Sequence, residues 1–209
     1  HTNDKGQAIL LALNCETDFV AKNEDFVSFG NTIAKIALDN QINAPEALLQ
    51  ASLDGRTIGE HIIDMVGKIG EKIEVGNCEF IEGAFVVGYN HPGNRVATIV
   101  ALNKADVGDV ETIAKDVAMQ AAAMAPVALD KDDVPQDTIE KEIEIAKEQL
   151  LQEGKPADKI DMIAKGKLEK FFKENTLLQQ AFIKDGKMSV LQYLQSADKE
   201  LTVTAFRRY

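Results

Sequence analysis

The sequence predicts an α+β fold: two pseudo-symmetric repeats, each an antiparallel sheet packed with helices, with a projecting antiparallel helical hairpin inserted in the second. Three observations predict it. HTNDKGQAILLALNCETD, from His1, aligns with HPGNRVATIVALNKAD, from His91; each has a histidine, a glycine-containing turn, an apolar run ending Ala-Leu-Asn, and an acidic residue. LLQASLDGRTIGEHI and LLQQAFIKDGKMSVLQYL then share Leu-Leu-Gln and an Asp-Gly-basic turn, at Asp54 to Arg56 and Asp185 to Lys187. Each is followed by an alternating strand, KIEVGNCEF from Lys72 and ELTVTAFRRY from Glu200. The third observation is a stretch rich in charge, DTIEKEIEIAKEQLLQEGKPADKIDMIAKGKLEKFFKE, which has no counterpart in the first copy.

Each repeat therefore reads as strand, helix, short helices, strand. In the first copy the main helix is expected to start at Asn23, an N-cap residue followed by Glu24 and Asp25, whose carboxylates suit a helix N-terminus. Phe26, Phe29, Ile33 and Ile36 form its apolar stripe. In the second copy Asp109 is the expected cap, Ile113, Val117, Ala121 and Met124 the stripe, and Pro126 the stop. Within the insertion, Ile139, Ile143, Ala146 and Leu150 have coiled-coil spacing. Gly154-Lys155-Pro156 breaks the helix, and Ile160, Ile163, Ala164, Leu168 and Phe171 carry a second stripe back. So narrow a stripe among so many charges suits a hairpin that stands in solvent. The expected division is a first core subdomain over 1–83, a second over 84–128 and 177–209, and the hairpin over 129–176.

Composition bounds the function. With 209 residues, 45% hydrophobic and 27% charged, the chain has ordinary globular composition. Its net charge of −11, from 23 basic and 34 acidic residues, argues against direct nucleic-acid binding, which needs clustered Lys and Arg. The longest apolar run, Ala8 to Leu13, is too short to cross a bilayer, and no signal peptide is evident, so a soluble protein is expected. Cys15 and Cys78 both lie in strand-like stretches with no metal-ligand spacing around them, which suits a reducing compartment.

No motif makes an enzyme. Asn103-Lys104-Ala105-Asp106 matches the NKxD pattern of guanine recognition, but the chain has no GxxxxGK[ST] phosphate loop, and the repeat aligns NKAD with Asn14-Cys15-Glu16-Thr17. A nucleophilic Cys15 with His91 as base is the thiol-enzyme alternative, set against a packed strand-end cysteine. His1, His61 and His91 show no metal-binding spacing.

The segment ETDFVAKN, Glu16 to Asn23, is where the copies differ. Asn14 to Ile33 is 19 positions and Asn103 to Ile113 is 10, so the first copy carries nine extra residues, most of them in this segment. Two readings stand on the residues alone. Thr17 or Asp18 caps a short helical turn while Phe19 and Val20 fold onto the core, or Phe19, flanked by charge, is an anchor presented to a partner.

NCETDFVAKN, Asn14 to Asn23, resembles the signature of the elongation factor Ts family, guanine nucleotide exchange factors of the GTPase elongation factor Tu. KIGEKI (Lys68 to Ile73), the Tyr89-Asn90-His91 turn, AMQAAAMAP (Ala118 to Pro126), the GKP turn and VTAFRRY from Val203 resemble the family in the family's order. The resemblance covers the family's core. Its amino-terminal three-helix domain, similar to a ubiquitin-associated domain, and its carboxy-terminal extension find no counterpart in these residues. What the resemblance implies is a cytoplasmic, non-enzymatic exchange factor with no cofactor of its own. Asp18 and Phe19, within Thr17 to Val20, match the pair that enters the GTPase domain beside its Mg²⁺ site so that GDP leaves. Ile69 and Gly70 match contacts on the same domain; His91 and Ile183 match contacts on a second domain. The neighbouring Lys184 departs from some members, where a methionine sits. The hairpin resembles the family's coiled-coil arm, through which some members pair two copies as a homodimer or in a heterotetramer.

Overall fold

A computed structural model describes all of residues 1–209. In chain order the elements are β1 (Thr2–Asn3), β2 (Gln7–Asn14), α1 (Asp18–Ala21), α2 (Glu24–Asp39), α3 (Pro45–Gln50), β3 (Ser52–Leu53), β4 (Arg56–Thr57) and α4 (Ile58–Ile69). They continue with β5 (Glu74–Glu82), β6 (Phe85–Asn90), β7 (Ala97–Leu102), α5 (Val110–Met124), α6 (Gln136–Gln152) and α7 (Ala157–Asn175). The last are β8 (Ala181–Phe182), β9 (Asp185–Ser189), α8 (Val190–Ala197) and β10 (Val203–Arg208). Helices and antiparallel sheets are thus mixed along the chain, as expected of an α+β protein.

Two compact units result, one of residues 1–122 with 203–209, the other of residues 123–202. The first holds two three-stranded antiparallel sheets, ordered β1-β2-β5 and β10-β7-β6. The apolar run Ala8 to Leu13 needs no polar face, because β2 is covered on both sides. Ile9 packs with Phe26, Ile33, Ala34, Ala37 and Leu38 of α2, and with Leu48, Ile58 and Ile62 from α3 and α4. Its neighbours Ala8 and Leu10 point the other way, onto Ile81, Val86, Ile99 and Ala101. On the second sheet, Thr98 donates its hydroxyl to the Ala118 carbonyl of α5 (2.8 Å), and Arg208 Nε donates to the Ala122 carbonyl (3.2 Å).

Helix starts follow local chemistry. Asn23 caps α2 as expected, its Oδ1 accepting from Asp25 N (3.0 Å) and Phe26 N (3.1 Å). Thr57 and Glu60 close a capping box on α4, with Glu60 N donating to Thr57 Oγ1 (3.2 Å) and Thr57 N donating to Glu60 Oε2 (2.8 Å). Three expectations need correction. Asp109 has φ 56, a left-handed conformation and not the extended one of an N-cap, although its carbonyl still accepts the first helical bond from Ile113 N (3.0 Å). Met124 is 48% exposed, because α5 ends there and the chain turns through Ala125 with φ 45; Ile113, Val117 and Ala121 are buried as expected. Asp54 and Gly55, with φ 52 and 81, are the two turn residues between β3 and β4, whereas the turn between β8 and β9 falls on Ile183 and Lys184. Asp185 there instead accepts from Lys187 N (3.1 Å) inside β9.

In the second unit α6 and α7 find their main packing partner in each other. Ala146 and Leu150 of α6 meet Ile160 and Ala164 of α7, with Ile163 beside them. At the other end, Ala128, Val134 and Phe172 form a separate buried cluster with Ile139, Leu168 and Phe171. There Val127 N donates to Asn175 O (2.8 Å), Leu177 N to Ala128 O (3.0 Å) and Leu178 N to Leu129 O (3.0 Å). The division at 83/84, 128/129 and 176/177, which rests on sequence duplication, stays a proposal.

Candidate partner-binding site

The chain leaves β2 at Asn14 and re-enters regular structure at Asn23; between them Asp18–Ala21 form a single helical turn, α1. Thr17 is its N-cap and accepts from Val20 N (3.4 Å). Val20 rests on the core under α2. Phe19 does not: at 88% exposure it points into solvent. The two readings of the segment therefore divide between adjacent residues, with the capped turn and an inward Val20 from one and an outward Phe19 from the other.

A glycine elsewhere in the chain determines what lies beside this turn. α4 ends at Gly70, whose φ of 78 is left-handed and costs a glycine little, and Gly70 N closes the helix on Val66 O (2.8 Å). The reversal sends Glu71 toward the start of α1. Its Oε2 accepts from Glu16 N (3.1 Å) and Thr17 N (3.0 Å), and its Oε1 accepts from the Thr17 hydroxyl (2.5 Å). Lys72 N donates in return to Glu16 Oε2 (3.2 Å). The β2–β5 register, with Asn14 opposite Glu74, places the two segments at the same sheet end. Thr17 to Val20 and Ile69 to Gly70, 49 or more residues apart in sequence, thus share one region of the surface.

His91 lies in the loop between β6 and β7. Its backbone N donates to Val96 O (2.8 Å), and its Nδ1 sits 2.8 Å from the Tyr89 hydroxyl. From this loop Arg95 reaches Asp18 and pairs with its carboxylate through Nη2. The Arg95 guanidinium, by hydrogen bond and by charge, holds the Asp18 carboxyl below its ordinary range. Ile183 belongs to the other compact unit, where it is 45% exposed at the β8–β9 turn; Phe182 before it is buried and stacks on Tyr193 at 4.1 Å.

A family model described as Elongation factor TS matches residues 16–209. The chain belongs to the elongation factor Ts family. Among its relatives, elongation factor Ts of Flavobacterium psychrophilum is 50% identical over 206 residues, 98% of this chain and 74% of the relative. That of Christiangramia forsetii is 48% identical over 205 residues, with the same coverage. That of Chlorobium phaeobacteroides is 43% identical over 211 residues, covering 96% of this chain and 73% of the relative.

Two of the residues that build the region went unmarked in the sequence. Glu71 bonds residues 54 and 55 positions away, and Arg95 one 77 away. No periodicity signals such pairs; the only sign of Glu71 was its place inside KIGEKI. Cys15, expected in a strand, lies just past β2 and is partly exposed, donating to Thr17 O (3.4 Å). Its thiol pKa is raised by burial first and then by the Glu71 carboxylate, and burial pushes the Cys78 thiol up to about 11. Both shifts deplete thiolate at neutral pH, the opposite of what a nucleophilic cysteine needs. No helix is long and apolar enough to cross a membrane.

Proposed function

We propose that this chain is a nucleotide exchange factor for elongation factor Tu and that the Asp18-Phe19 turn is its working element. The observation that carries the reading is Phe19, an 88% exposed aromatic on a turn tied at both sides to neighbouring loops. Leaving such a side chain in water has no structural return within the chain. Its return comes when a partner covers it, as for an aromatic anchor at the centre of an interface.

In this reading Phe19 enters between two helices of the GTPase domain, with Asp18 beside it, and displaces groups that hold Mg²⁺ and the β-phosphate of GDP. Thr17 and Val20 fix the turn, and Ile69 and Gly70 meet the same domain. His91 and Ile183 supply a second contact, on another domain. No bond is made or broken by this chain, so it is not an enzyme; metal and nucleotide belong to the partner. It acts in the cytoplasm without direct contact with nucleic acid or membrane. The two sheets, with β2 and β7 both running into Leu-Asn and both followed by a helix, are the halves of a pseudo-symmetric pair. α6 and α7 are an antiparallel arm that pairs copies, in a homodimer or a heterotetramer.

Reciprocity sets the test. If this chain weakens GDP binding by some factor, GDP weakens binding of this chain by the same factor. Release of a fluorescent GDP analogue from elongation factor Tu should accelerate when the chain is added. A nucleotide-free complex that co-elutes should come apart on adding GDP and Mg²⁺. Co-elution indifferent to GDP, with no acceleration of release, would overturn the proposal.

A further inference from the structure

The Phe19 turn is short of internal support. α1 has four residues, none of them buried, and an isolated helical turn of that length does not persist in water. Only Val20 leans on the core. Thr17 caps the turn from within through Val20 N (3.4 Å), and Lys72 N holds Glu16 Oε2 (3.2 Å). The side chains that reach the turn from other loops are two. Glu71 receives Glu16 N, Thr17 N and the Thr17 hydroxyl, while Arg95 engages Asp18. One restraint precedes Phe19 from the side of the α4–β5 connection. The other comes from the β6–β7 loop, whose own form is set by left-handed Gly93 (φ 95) and Asn94 (φ 57), with Asn94 N donating to His91 O (3.0 Å).

We propose that Glu71 and Arg95 are positioning residues that clamp the Asp18-Phe19 turn in its outward conformation before any partner arrives. The idea deepens the exchange reading above and rests on it for its kinetic consequence. An anchor already ordered loses less conformational freedom on docking than one that must be ordered by the partner. The Arg95–Asp18 pair is solvent-exposed, so its own contribution is small, and the carboxylate of Glu71, with three donors from the turn, carries the larger share.

The clamp is tested first on the chain alone. Backbone order parameters of the Asp18 to Ala21 amides should sit near the rigid value of about 0.85 and fall below about 0.6 in Glu71→Ala and in the double variant with Arg95→Ala. Values unchanged in a folded double variant overturn the clamp, whatever the chain does to a GTPase. Glu71→Gln, which keeps one acceptor oxygen for the Glu16 and Thr17 amides and loses the one for the Thr17 hydroxyl, should fall between; it also serves if Glu71→Ala melts early. The second arm is a double-mutant cycle on GDP release. Arg95→Ala should lower exchange efficiency about threefold in the unaltered chain, within what an exposed ion pair supplies. It should change nothing further in an Asp18→Ala background. Equal losses in both backgrounds would mean that Arg95 meets the partner directly, and would overturn its positioning role. Absence of any release by the unaltered chain would instead refute the exchange reading itself.

Discussion

Replacing Phe19 with alanine separates folding from partner binding with little ambiguity. Because the side chain is 88% exposed in the free chain, its removal takes almost no apolar surface out of the core. The stability change should stay within about 0.5 kcal/mol, as for surface substitutions generally. Docking is a different matter. A phenylalanine side chain offers about 150–250 Å². At about 25 cal/mol per Å², full burial of what is now exposed is worth about 4 kcal/mol. Alanine retains part of that area, so truncation should remove about 2–3 kcal/mol of coupling, roughly thirty- to hundredfold in exchange efficiency. Thermal melting and fluorescent GDP release, run on the same preparations, read the two quantities separately. A sharp drop in melting temperature with normal release per folded molecule would refute the reasoning and make Phe19 a structural residue.

Other expectations concern the rest of the chain. Leu48 of α3, fully buried in the core cluster beside α4 and β5, should cost about 2–5 kcal/mol on conversion to alanine, measured by denaturant unfolding. Alkylation of the native protein at pH 8 should be slow at the partly exposed Cys15 and slower still at Cys78, which is buried and whose thiol burial pushes up to about 11, until unfolding speeds both; rapid native labelling of Cys78 would contradict its burial. The Asp18 carboxyl, held down by Arg95 and by nearby Lys22, should titrate below the ordinary aspartate value in an NMR pH series; its pairing is present above that value and is lost as pH falls through the lowered pKa. Replacing residues 144–164 with a short Gly/Ser linker removes Ala146, Leu150, Ile160 and Ala164 together and retains the Ala128, Val134 and Phe172 cluster. The shortened chain should therefore melt cooperatively, and GDP release should persist, because Asp18, Phe19, Ile69, Gly70 and His91 lie outside the excision.

Local pattern carried much of the secondary structure. The apolar run of β2, the Asn23 cap of α2, the helical stripe at Phe26 and Ile33 and the break at Gly154 to Pro156 all depend on near neighbours in sequence. Backbone geometry and side-chain periodicity act over a few residues, so they can be read from a few residues. The same reach explains the failures. Met124 fits the spacing of α5, but a turn immediately after it exposes the side chain; Asp109 has the right chemistry for a cap, but its backbone is left-handed.

By itself the sequence determined the mixed class, the main helices and strands, and a segment, ETDFVAKN, in which Phe19 had two readings, packed on the core or presented to a partner. Only the tertiary structure decided between them, and it did so residue by residue, turning Val20 inward and Phe19 outward. The reason is that exposure is a property of what else arrives at a place. The left-handed Gly70 brings Glu71 to Thr17, and the β6–β7 loop brings Arg95 to Asp18. Such meetings depend on how whole sheets and helices close on one another, across separations where no sequence periodicity survives.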